Sequence, residues 1–188
     1  MATGNQKKLH KLITPPAPGA YAWLQQPDEG QEYSDGKYKV TLLFEKGTKE
    51  TKTFLTALKE KANEAATDEW SKVPKDLILP YRDGDEKDRD DFKDMWMFTA
   101  KTKFRPGMYD SATKPLEEGS EPRSGDIIRV SFKLYPYKNT RGHGVSAQLV
   151  NVQLIDKRNV TPESEFGEFE GGYVASTSEG DSFDDDDF

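Results

Sequence analysis

The chain has 188 residues, of which 32% are charged, and a formal net charge of −7; this length suits one domain plus an appendage. It contains no cysteine and two histidines, which excludes disulfides, thiolate metal sites and a multi-histidine zinc centre and suits a reducing cytoplasm. No apolar run approaches the roughly 18 residues of a membrane span, and the polar, basic residues Met1 to Thr14 do not read as a secretory signal.

Residues 1–19 are polar, then rich in proline (Pro15, Pro16, Pro18), and read as an extended arm. Tyr21 to Leu24 is a candidate short strand, followed by a Pro, Asp and Gly loop to Gly36. From Lys37 to Phe44 the pattern alternates. Tyr38, Val40, Leu42 and Phe44 share one face, while Lys37, Lys39 and Thr41 share the other. Thr48 is a candidate N-cap for a helix to about Thr67, with Phe54, Leu58, Ala62 and Ala65 as its apolar stripe. Val73 to Asp94 reads as a long charged loop. Met95 to Phe104 alternates again, with Trp96, Phe98 and Ala100 opposite Met97, Thr99, Lys101 and Lys103. Asp126 to Tyr135 sets Ile128, Val130, Phe132 and Leu134 against Arg129, Ser131, Lys133 and Tyr135. Val145 to Ile155 is the last predicted strand.

These elements add up to a mainly β fold of about five strands and one helix. A small antiparallel barrel fits, because closure removes exposed sheet edges. The OB-fold is the familiar five-stranded version and commonly binds oligonucleotides. The expected organisation is an arm over 1–19, an OB-like domain over 20–160 and a disordered acidic tail over 161–188.

That tail carries much of the charge. Residues 162–188 hold ten acidic side chains and no Lys or Arg, so the body is mildly basic. Such asymmetry hints at nucleic-acid work. The chain ends on Asp184-Asp185-Asp186-Asp187-Phe188. Four consecutive aspartates repel one another and form no core. Acidic tails often serve solubility alone. The terminal aromatic favours a docking tail, one able to compete with DNA for a basic groove or to carry Phe188 to a partner.

If the apolar rows face the core, Lys37, Lys39, Lys101, Lys103, Arg129, Lys133 and Tyr135 point outward. The loop after the fourth predicted strand adds Tyr137, Lys138 and Arg141, and the turn after the third adds Phe104, Arg105 and Tyr109. Single-stranded nucleic acid is held by this mixture: cations for phosphates and flat rings for stacked bases, at about 1–3 kcal/mol per base. Strands also place Lys and Thr outward merely for solubility. The basic body and acidic tail together favour binding.

Other chemistry finds less support. The run Asp83-Gly84-Asp85-Glu86-Lys87-Asp88-Arg89-Asp90-Asp91 fails as an EF-hand: Lys87 takes a ligand position and Asp88 stands where the turn glycine belongs. A solvated loop is the better reading. No nucleophile motif surrounds Ser, His or Asp. Arg141-Gly142-His143-Gly144 is too short for a phosphate loop, and no Walker sequence is present. A nuclease would need converging carboxylates, which the strand interiors do not offer. No catalytic activity, metal or cofactor is expected.

Several stretches resemble the OB-fold single-stranded DNA-binding proteins of tailed bacteriophages. They are Asp83 to Lys87 ahead of the Trp96 strand, Ser124-Gly125-Asp126 opening the next strand, Tyr137 to Gln153, and the acidic tail ending in phenylalanine. The resemblance implies a protein that coats single strands during phage DNA replication, recombination and repair in the bacterial host cytoplasm. It also implies that the tail contacts replication partners such as DNA polymerase and helicase-primase. The rival reading is a protein-interaction module or DNA-mimic inhibitor acting through its acidic tail.

Overall fold

The structure is a computed structural model and describes residues 10–29, 32 and 34–158. Its elements in chain order are β1 (Lys11–Ile13), β2 (Ala17–Trp23), β3 (Tyr38–Glu45), α1 (Lys49–Trp70), β4 (Tyr81–Asp83), β5 (Met95–Thr102), β6 (Gly107–Tyr109), β7 (Ile127–Asn139) and β8 (Gly142–Asp156). Two single 3-10 turns, Gly84–Glu86 and Asp90–Phe92, join β4 to β5.

Five of these strands form a ring. Following the pairings, β7 meets β2, β2 meets β3, β3 meets β5, β5 meets β8, and β8 returns to β7. All are antiparallel except β5 with β8, which run parallel through Ala100↔Ala147 and Lys101↔Gln148. The fold is mainly β and OB-like, with one α-helix among the described residues. Short strands decorate the ring: β1 on β7, β4 on β5 and β6 on β8.

The predicted alternation is what the ring uses. Val40, Leu42 and Phe44 on β3, Phe98 and Ala100 on β5, and Ile128, Val130, Phe132 and Leu134 on β7 are all buried. On β8 the inward row is Val145, Ala147 and Leu149, then Val152. The switch of parity follows from an extra residue: Ser131 faces Asn151 while Phe132 faces Leu149, which leaves Val150 as a bulge. A bulge of this kind bends and twists a strand, which helps a small sheet close.

Helix α1 starts where its cap predicts. The Thr51 amide donates to Thr48 Oγ1 at 3.2 Å, and Ser71 ends the helix with a left-handed φ of 59°. Its stripe of Phe54, Leu58, Ala62 and Ala65 is buried. The Phe54 ring meets Phe98 edge-on at 5.7 Å and Phe132 edge-on at 6.5 Å. An aromatic cluster therefore joins helix to ring.

Three parts of the expectation change. Strands β1 and β2 begin inside residues 1–19, which read as an arm. Proline is tolerated there because the Gly19 N–H donates to Asp126 on the β7 side, so the missing N–H of Pro18 faces β3, whose pairing with β2 begins only at Gly19. The charged stretch before β5 contains β4, whose three residues are too few to show a period. The loop expected after Tyr135 is instead a continuous hairpin from Tyr137↔Gly144 to Asn139↔Gly142. Pro136 disguised it, but lies beyond the positions where β1 pairs with β7, so its missing N–H breaks no ladder there. No helix among the described residues is long and apolar enough to cross a membrane.

Candidate nucleic-acid interface

The outward faces of β3 and β5 lie side by side. Thr41 pairs with Thr99 and Lys39 with Lys101. The two threonine hydroxyls are 2.9 Å apart. Facing lysines would repel, and a short acidic loop offsets this. Lys101 Nζ donates to Asp35 at 3.0 Å, Lys39 Nζ is 3.8 Å from Asp35, and Lys39 also pairs with buried Asp28. Burial pushes the Asp35 carboxyl up, but the hydrogen bond from Lys101 and the charges of Lys101, Lys39 and Lys37 outweigh it and hold it below 3.8.

This face forms the floor of a cleft of about 640 Å³. Lys37, Thr41, Met97, Thr99 and Lys101 line its floor, Tyr137 and Asn139 come from β7, and Ile78 to Pro80 line it as extended chain. Arg82, Lys87 and Tyr21, with Val145, Ser146 and Ala147 of β8, complete the lining. A depression of about 350 Å³ shares Lys37, Lys101, Ser146 and Ala147 with the cleft and adds Lys103, Phe104 and Tyr135. The two form one continuous groove. Phe104 is 76% exposed there, leaving its ring open to the groove.

Local structure fixes several of these side chains. Tyr137 pairs with Gly144 across the hairpin. Its ring occupies the space a Cβ would need, since a Cβ on Gly144 would lie 2.5 Å from Tyr137 ring and hydroxyl atoms. The loop from Asp83 to Asp94 is a built wall. Lys46 Nζ bonds Asp83, and Asp85 at 2.6 Å. Asp85 also accepts from the Asp94 amide at 2.7 Å. Gly84 packs so tightly that a Cβ would meet the Phe92 carbonyl oxygen at 2.2 Å. The hydrogen bonds to Lys46 lower the Asp83 and Asp85 pKa values and raise that of Lys46. Among the described residues no acidic or histidine cluster is arranged to hold a metal ion.

The structure divides the thirteen residues expected at the interface. Lys37, Lys101, Lys103, Phe104, Tyr135 and Tyr137 come together in the groove. Lys39 is engaged by Asp28 and Asp35. Lys138 and Arg141 are exposed around the β7–β8 turn, beside the groove residue Asn139. The other four line neither part of the groove. Arg105 bonds buried Glu121 at 2.6 Å, and Tyr109 shares that separate depression. Arg129 donates to Gln153 at 2.6 Å. Lys133 stands between Lys11 and Gln148. On a closed ring, outward residues point all round the axis, so one alternating row does not make one surface. The expected partner-binding residues Asp184 to Phe188 lie outside the described residues.

Tyr21, Arg82 and Lys87 were not singled out from sequence. Tyr21 reads in sequence only as the start of a short strand, and Arg82 and Lys87 fall in the charged stretch that reads as a loop.

Comparison with known proteins bears on this groove. A family profile described as the Enterobacter phage Enc34 ssDNA-binding protein matches residues 10–187. The chain belongs to this family. The Enc34-type family and its structural neighbours are single-stranded DNA-binding proteins rather than enzymes. The chain is similar to the single-stranded DNA-binding protein from bacteriophage Enc34 solved in complex with ssDNA, with a TM-score of 0.67 and 20% identity over 79% of this chain and 87% of that one. Another Enc34 structure gives 0.66 and 20%, covering 84% and 87%. It is also similar to gp2.5, a single-stranded DNA binding protein encoded by bacteriophage T7, with a TM-score of 0.58 and 23% identity over 90% of this chain and 100% of that one. Among curated protein sequences no match was found. The fold thus agrees with the Enc34 type, and the chain is homologous to phage ssDNA-binding proteins.

Proposed function

We propose that the groove between β3, β5 and the β7–β8 hairpin binds single-stranded DNA without sequence preference. The observation that carries this is the convergence of Lys37, Lys101, Lys103, Arg82 and Lys87 with Tyr21, Phe104, Tyr135 and Tyr137 in one continuous depression. The cations suit phosphates and the rings suit bases; duplex DNA would offer the phosphates but hide the base faces. The Enc34 protein solved with ssDNA supports the same ligand.

In this reading the protein coats and protects single strands during phage DNA replication, recombination and repair in the host cytoplasm. Its acidic C-terminus docks replication proteins such as DNA polymerase and helicase-primase through Asp184 to Phe188, and competes with DNA for the groove.

The test is a titration with labelled single- and double-stranded oligonucleotides at low and moderate salt. Single strands bind much more tightly, with a log–log salt slope of about −0.7 per phosphate neutralised. Equal affinity for blunt duplex contradicts the groove reading. Deleting 162–188 tightens single-strand binding, most at low salt, whereas removing Phe188 alone weakens polymerase capture and spares DNA affinity.

A further inference from the structure

Tyr21 has a backbone that its residue type does not favour. It sits in β2 at the irregularity between Ala20↔Thr41 and Trp23↔Lys39, with φ at +48°. A bulky residue in the left-handed region is unusual, and such positions persist where surrounding contacts over-determine them. The contacts here come from the wall loop. Arg89 Nη1 donates to the Tyr21 hydroxyl at 2.9 Å. The same guanidinium lies 5.7 Å from the Tyr21 ring centroid and 4.7 Å from that of Phe92. Phe92 is buried, and its ring is tilted against Tyr21 at 5.7 Å. Arg89 is itself held by Asp91 at 2.8 Å.

Despite these contacts, Tyr21 remains 44% exposed and lines the cleft. Burial alone does not account for a ring that is fixed on one side and open on the other. A platform for a flat, unsaturated ligand does. Fixing the ring before binding spares the ordering cost that a free side chain would pay.

We infer that Tyr21 is a base-stacking platform for single-stranded DNA, and that Arg89 is a positioning residue that holds its ring rather than a phosphate contact. The assignment rests on the groove being the DNA site. It gives the charged run Asp83 to Asp91 a role: its carboxylates hold Lys46 and Arg89, and Arg89 holds Tyr21.

Two probes separate stacking from charge: a labelled oligothymidylate and an abasic oligomer of the same length. In the full chain, Tyr21→Ala weakens oligothymidylate binding about 5- to 150-fold, the equivalent of about 1–3 kcal/mol at tenfold per 1.4 kcal/mol. It leaves abasic binding and the salt slope unchanged. Tyr21→Leu, which keeps apolar bulk beside Phe92, shows the same selective loss and guards against misfolding. Tyr21→Phe keeps most of the affinity. Arg89→Ala and Arg89→Lys both reproduce part of the loss with an unchanged slope, and neither adds to Tyr21→Ala.

The inference is overturned if folded Tyr21→Leu binds both probes like the parent. The positioning role is overturned if Arg89→Ala flattens the slope and still costs affinity in the Tyr21→Ala background. Lys101→Ala and Tyr137→Ala run alongside. If they weaken binding while the Tyr21 variants do not, the Tyr21 assignment alone fails. If they too bind like the parent, the groove reading fails with it.

Discussion

The Tyr137 ring lies over Gly144, in the space where any other residue would place its Cβ. Glycine at this position is a seat for the aromatic ring rather than a hinge. Gly144→Ala therefore displaces Tyr137 while leaving the strand backbone favourable. Single-strand affinity falls by as much as in Tyr137→Ala, at most about 1–3 kcal/mol. Once Tyr137 is alanine, Gly144→Ala has no further effect. Oligonucleotide titration of the two single variants and the double variant checks this.

Asp35 holds Lys101 and Lys39 with its carboxylate, as a bound phosphate would. Asp35→Asn releases Lys101, while Lys39 stays paired with Asp28. DNA affinity rises, and the salt slope steepens by about 0.7 as Lys101 gains a phosphate. The Asp35 pKa is lowered from 3.8, so the group stays ionised throughout the neutral range and contributes no pH dependence there. Titrations at several salt concentrations, on parent and variant, decide the matter.

The wall loop carries its own pH window. Asp83 and Asp85 have folded pKa values below 3.8, so their stabilising contribution is present above 3.8 and is lost as pH falls through the lowered values. Lys46 has a folded value above 10.5, so its contribution is present below 10.5 and is lost as pH rises through the raised value. Between these limits the loop's resistance to proteolysis is flat. Lys46→Met removes the plateau's upper level and makes residues 83–94 a cleavage site at neutral pH. Limited proteolysis followed by mass spectrometry reads this out.

Phe54 joins α1 to the ring through Phe44, Phe98 and Phe132. Phe54→Ala leaves a cavity under the helix and lowers unfolding free energy by about 3–5 kcal/mol. Denaturant unfolding measures it. DNA affinity of the folded fraction stays near that of the parent, because Phe54 does not line the groove.

The ring was legible in the sequence where apolar and polar residues alternate over several positions, as in Val40 to Phe44 and Ile128 to Leu134. The helix was legible from Thr48 and its apolar stripe. Elements made of three residues, or interrupted by proline, carry too little pattern to be seen; hence β1, β4 and the upper hairpin past Pro136. The interface was half legible for a different reason. Residue type and parity say that Arg129 and Tyr135 both leave the core, but not that one faces Gln153 while the other enters the groove. That depends on ring closure, which no local window contains. Tyr21 depended on contacts with Arg89 and Phe92, about 70 residues away along the chain.

Between β5 and β8 the ring closes over two parallel pairs, Ala100↔Ala147 and Lys101↔Gln148, whereas β3 and β5 share eight. Lys101 and Ala147 also line the groove. A strand of DNA lying there would bridge one of the ring's two shortest seams, the other being β2 with β7, and act as a clasp across it. Occupancy would then be felt as slower breathing of the seam's amides in hydrogen exchange. It would also raise the melting temperature in step with the logarithm of oligonucleotide concentration, at about 1.4 kcal/mol per tenfold once the site is saturated.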